Sequence, residues 1–160
     1  MSSSKLEALY EQEAQRSVRL AFLMTGDKEL AEDIVQDAFV KVAGRFQHLR
    51  KPHASSAYLR RTIINLSKSH WRRAGVEKRY LKQLSPDLEV TDPELPSQKI
   101  MGALRTLPTR QRAAVVLRYY EDFSEAATAQ TLGCSIGAVK QLTHRAKEQL
   151  RQMLREEVEG

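Results

Sequence analysis

The sequence predicts an all-α protein, two small helical domains joined by a flexible acidic linker. Three observations carry that expectation. Ala, Leu, Arg, Gln and Glu dominate, Gly is sparse, and β-branched residues form no alternating runs. Apolar residues recur at three- and four-residue steps along most of the chain. One stretch, SPDLEVTDPELPS at 85–97, breaks this rhythm with Pro86, Pro93 and Pro96 among Asp87, Glu89, Asp92 and Glu94. The expected organisation is a first domain at 1–82, a linker at 83–97 and a second domain at 98–160.

Taken in order, Ser4 is the expected N-cap of a first helix, with Leu6, Leu9, Tyr10 and Glu13 following and Gly26 as its stop. A second helix is expected over about 28–46. Its stripe is Leu30, Ile34, Val35, Ala38, Phe39 and Val42, while Glu32, Asp33, Gln36 and Asp37 face elsewhere. Pro52 and the polar run QHLRKPHASS read as a loop. A third helix should run from about Ser56 to Arg73, burying Tyr58, Leu59, Ile63, Leu66 and Trp71. Beyond the linker the pattern gives a short helix near 98–106, another from Pro108 to about Tyr120, then two more. The last of these starts at Ser135 as N-cap and ends near 157.

Those last two helices carry the sharpest local signal. Ala129, Gly133 and Val139 have the A-x3-G-x5-V spacing of a helix-turn-helix, with Leu132 and Leu142 beside them. A small residue lets the second helix approach, Gly permits the left-handed turn, and a β-branched residue seats the second helix on the first. Lys140, Gln141, His144, Arg145 and Lys147 then line a helix that can reach phosphates and base edges.

Charge points the same way. The chain carries a formal +6, which favours an anionic partner. Between 50 and 82, Arg50, Lys51, Arg60, Arg61, Lys68, Arg72, Arg73, Lys78, Arg79 and Lys82 are opposed only by Glu77. Any one of them reads as a solvated helix face; the set reads as a nucleic-acid surface. Two basic units on an acidic tether suit a protein that touches one polyanion at two places.

Other functions are disfavoured. The single cysteine, Cys134, precludes an internal disulfide and a cysteine-rich zinc site, and it is expected to be a small packing residue. His48, His53, His70 and His144 show no metal-ligand spacing, so no metal or cofactor is expected. No Ser/His/Asp set, phosphate-cradling Gly loop or carboxylate cluster suggests a catalytic centre. No signal-type apolar core or membrane-length run occurs, so a cytoplasmic protein without membrane insertion is expected.

The strings AEDIVQDAF at 31–39, YLRRTIINLSKSHWRR at 58–73, LPTRQRAAVVLRYY at 107–120 and the helix-turn-helix follow one another in the order found in extracytoplasmic-function sigma factors. The resemblance covers about residues 6–152 and is closest in style to an actinobacterial-type branch. It implies a σ2-like and a σ4-like domain, hence core RNA polymerase (β′ clamp helices and β flap) and promoter DNA as partners. An anti-sigma factor is a further candidate partner. By position, Asp33, Gln36 and Asp37 would bind polymerase, with Phe39 mainly structural. The segment 48–57 and the start of the third helix would read and open the −10 element, Asn65 facing an unstacked base. Arg60, Arg61, Lys68, Arg72 and Arg73 would take phosphates there. Lys140, Gln141, His144, Arg145 and Lys147 would read the −35 element, with Arg110 and Arg112 on nearby phosphates.

The chain departs from the family's habit at Tyr58 (usually Trp), at Ala127-Thr128-Ala129 (usually Glu-Ile-Ala), at Ala138 (often Thr) and at Lys51-Pro52-His53. A free-standing helix-turn-helix regulator is the alternative reading, but it leaves AEDIVQDAF and the basic third helix without a role. A nucleic-acid-processing enzyme is more remote still.

Overall fold

The computed structural model describes the backbone of residues 2–45, 52–73 and 96–159, and the side chains of 4–45, 55–70 and 96–155. Seven helices and no strand occur among the described residues. In the N-terminal half, α1 (Ser2–Thr25), α2 (Lys28–Arg45) and α3 (Pro52–Arg73) pack mutually. In the C-terminal half, α4 (Gln98–Thr106), α5 (Thr109–Val115), α6 (Glu125–Leu132) and α7 (Ile136–Glu159) gather with α7 at the centre. A π turn, Val116–Tyr120, continues α5.

The α1–α2 corner follows from three residues. Gly26 takes φ 71°, a left-handed conformation that Gly enters without steric penalty, and its N–H donates to Phe22 O at 2.6 Å. Thr25 Oγ1 donates to Ala21 O, and Asp27 Oδ1 accepts from Leu30 N at 3.1 Å, capping α2. The α2 stripe is buried as its periodicity requires: Ala31, Ile34, Val35, Ala38, Phe39 and Val42.

Two expected starts shift. Helix α1 begins at Ser2, so Ser4 lies inside it rather than capping it. Pro52 opens α3 instead of lying in a loop that runs on past it. The physical reason is positional: the first helical residue needs no donated N–H, and a fixed φ favours it there. The segment expected to read the −10 element is therefore helical over 52–57, and 48–51 lie outside the described residues. So do residues 83–95 of the linker, while Ser97 Oγ accepts from Ile100 N to cap α4.

The two halves share one apolar core. Leu20, Leu23 and Met24 of α1 belong to the same buried cluster as Met101, Leu104, Leu107, Val116 and Leu117. Helix α1 packs on α4, α5 and the π turn, and α3 packs on α6.

Candidate nucleic-acid interface

The helix-turn-helix forms as its residue types demand. Ser124 Oγ accepts from Ala127 N at 3.0 Å to start α6, and Gly133 ends it at φ 67°. Cys134 N donates to Ala129 O at 3.0 Å, and Cys134 is half-buried in the turn. Ser135 Oγ then accepts from Ala138 N at 3.0 Å and opens α7. Each such cap stabilises a helix by about 1 kcal/mol. Thr128, where the family usually has Ile, is fully buried, and its hydroxyl donates to Ser124 O at 2.8 Å. The bulky contact is lost, but the polar group is satisfied.

On α7, Val139, Thr143 and Ala146 are buried. Helical periodicity then puts Lys140, Gln141, His144, Arg145 and Lys147 on the opposite side, and all five are exposed. Lys147 Nζ lies 4.6 Å from the ring centroid of Tyr119, itself 46% exposed. Sequence reasoning passed over Tyr119; an aromatic beside a basic helix was its signal.

The third helix is divided. Leu59, Ile63, Ile64 and Ser67 are buried. Arg61 and Asn65 are exposed and Lys68 half-buried, one turn apart along a single face. Arg60 points the other way. It is 8% exposed, donates to Glu13 Oε2 at 3.1 Å and lies over the Phe123 ring at 5.3 Å. Arg60 is thus held inside the protein in this structure, not on the open basic face expected of a phosphate contact. The side chains of Trp71, Arg72 and Arg73 lie outside the described residues.

Arg112 lies away from the DNA-facing surface expected for it. Expected at a phosphate, it is 1% exposed and donates to Met24 O, Arg105 O and Leu107 O. Burial, then the nearby Arg105 guanidinium, pushes its pKa down to about 10, so it stays protonated at neutral pH. Three carbonyls around a buried cation make a structural clamp, not a DNA contact. Arg110 is exposed, as a phosphate contact requires.

On α2, Asp33, Gln36 and Asp37 lie on the exposed side, and Val40 beyond them is 71% exposed. Phe39 is buried and meets Tyr10 edge-on at 5.0 Å. Among the described residues no group of three or more His, Cys, Asp or Glu side chains could hold a metal ion. No helix among them is long and apolar enough to cross a membrane.

Comparison with known proteins assigns both halves. Residues 9–76 match the model of sigma-70 region 2, and 97–150 that of sigma-70 region 4. The chain is 35% identical over 139 residues to the RNA polymerase sigma-E factor of Streptomyces coelicolor, covering 86% of this chain and 78% of that protein. It is 31% identical over 149 residues to the ECF RNA polymerase sigma factor SigM of Mycobacterium tuberculosis, covering 92% and 76%. The sigma factor RpoE of Bartonella quintana, solved with the anti-sigma factor NepR, superposes with a TM-score of 0.71 at 26% identity, over 91% of this chain and 96% of that one. CnrH, solved with the cytosolic domain of CnrY, shares the fold, with a TM-score of 0.70 at 21% identity over 93% and 86%. With both regions matched in order and relatives aligned along most of its length, the chain belongs to the extracytoplasmic-function sigma factors, the RNA polymerase subunits of σ70 type that direct promoter-specific initiation of transcription.

Proposed function

We propose a division of labour between the two halves of this sigma factor. Residues 1–82 form the σ2-like part, which docks on polymerase through Asp33, Gln36 and Asp37 and engages the −10 element through Arg61, Asn65 and Lys68. Residues 98–160 form the σ4-like part, which lays α7 in the major groove of the −35 element. The single observation that carries this reading is the sorting of α7: apolar Val139 and Ala146 inward, and Lys140, Gln141, His144 and Arg145 outward. An exposed guanidinium at Arg145 can pair with guanine or clamp a phosphate, which makes it the leading specificity residue. Acidic side chains on an open helix face, in a basic protein, suit a basic protein partner such as the clamp helices. The chain supplies binding and orientation, and core polymerase supplies the nucleotidyl-transfer chemistry in the cytoplasm. RpoE of Bartonella quintana was solved with an anti-sigma factor, and an inhibitor of that kind is a candidate partner here too.

The test is reconstitution. Purified protein, core polymerase and promoter fragments should give transcription from discrete starts that depend on both elements. Firm duplex binding by the protein alone, with no promoter-dependent transcription, would instead favour a free-standing regulator.

A further inference from the structure

Tyr119 is exposed where a regular helix would bury it. Continuous α geometry would stack it one turn beyond Val115, which is buried. Instead Val116–Tyr120 form a π turn, and Glu121 N donates to Val116 O at 3.0 Å. The wider turn shifts the register, so Tyr119 emerges 46% exposed while Leu117 stays fully buried. The centroid of its ring lies 4.6 Å from Lys147 Nζ and 5.9 Å from the Arg118 guanidinium carbon. Arg118 is already engaged, since it donates to Phe123 O. Lys147 differs: among the described residues no carboxylate lies within ion-pair distance of it. It completes a row with Lys140 and His144, at i, i+4 and i+7 along one exposed side of α7.

We propose that Tyr119 is a positioning residue for promoter binding, its ring bracing the Lys147 ammonium toward a backbone phosphate of the −35 duplex. This role rests on the promoter reading above, and Tyr119 lies outside the helix-turn-helix that carries that reading. A recognition helix reads bases mainly from its N-terminal turns. Lys147 lies seven residues beyond Lys140, about 10 Å along the helix axis, so it meets the strand backbone at the groove's edge. A lysine is a flexible point charge, and fixing its four-carbon stem on binding costs rotamer freedom. The face of Tyr119 holds the ammonium before DNA arrives, which lowers that cost. Three N–H donors let the ammonium face the ring and a phosphate at once. With no carboxylate beside it, the charge of Lys147 is available to an external anion rather than neutralised inside the protein. The brace depends on the ring face, not on the phenol hydroxyl. Tyr119 therefore acts through Lys147 and reads no base.

Equilibrium binding of the full chain with core polymerase to a duplex promoter fragment, measured across salt concentrations, tests this. Tyr119→Leu should weaken binding about twofold to fivefold with the salt slope unchanged, because the Lys147 charge remains. Lys147→Gln should lower the slope by about one, and adding Tyr119→Leu to it should weaken binding no further. Tyr119→Phe, which keeps the ring, should recover binding. Tyr119→Leu at wild-type strength, or with an equal loss in the Lys147→Gln background, would overturn the brace. So would a Phe variant as weak as the Leu variant, or a Lys147→Gln slope equal to that of the wild type. Arg145→Ala separates this failure from that of the promoter reading, which falls if Arg145→Ala also leaves −35-dependent binding unchanged. The Lys147 ε-proton resonances of the free chain then still decide the pairing. Ring current should shift them upfield in the wild type and Tyr119→Phe but not in Tyr119→Leu, and equal positions in all three would overturn it.

Discussion

The two basic helices, α3 and α7, look alike as sequence and are presented differently. On α7 the expected −35 contacts Lys140, Gln141, His144, Arg145 and Lys147 are all exposed. On α3 the described −10 candidates are split between an open row of Arg61, Asn65 and Lys68 and an enclosed Arg60 tied to Glu13 and Glu121. Duplex recognition can use a preformed helix face. The same residue type is exposed on one helix and enclosed on the other.

The largest effect is expected at Arg112. Arg112→Met leaves three main-chain carbonyls without their donor and should cost about 3 kcal/mol of stability. Thermal unfolding should fall by roughly 6–12 °C for a chain of this size. Unchanged melting with weakened −35 binding would return Arg112 to the phosphate role. Arg145→Ala should do the reverse. Stability should hold within about 0.5 kcal/mol, while −35-dependent promoter binding falls by about 5- to 150-fold, the roughly 1–3 kcal/mol of a base contact.

A smaller effect is expected at Asp37→Ala. It should weaken polymerase capture by several-fold with a changed salt dependence, whatever the promoter sequence, because it sits on an exposed face. If it shared the Arg145→Ala phenotype, the division between the halves would be wrong. The smallest effect separates neighbours on α3. Arg61→Ala should lower the salt slope of promoter binding by about one, the signature of one lost phosphate contact. Gln in place of Lys68 should act in the same direction.

Much of this was legible in the sequence because the signals were local. Gly26, Gly133 and Ser135 mark corners and caps that depend on a few neighbouring atoms, and each holds in the structure. Pro52 misled because a proline signals a break from one side and a helix start from the other. Arg60 and Arg112 could not be read in advance. Arginine is rarely buried, and Arg60 is held by Glu13, Glu121 and Phe123 while Arg112 reaches Met24, partners far away along the chain. The exposed basic face of α7 was readable because Val139 and Ala146 mark its inward side at helical spacing. The interface between the halves was hidden because its apolar residues read as two separate cores and its charges look like surface.

The most direct measurement is a footprint of one cognate promoter with the full chain, taken with and without core polymerase. Both the −10 and −35 elements should be protected only when polymerase is present. Without it, the chain should protect the −35 element weakly or nothing at all. Full protection of both elements by the chain alone would contradict this expectation.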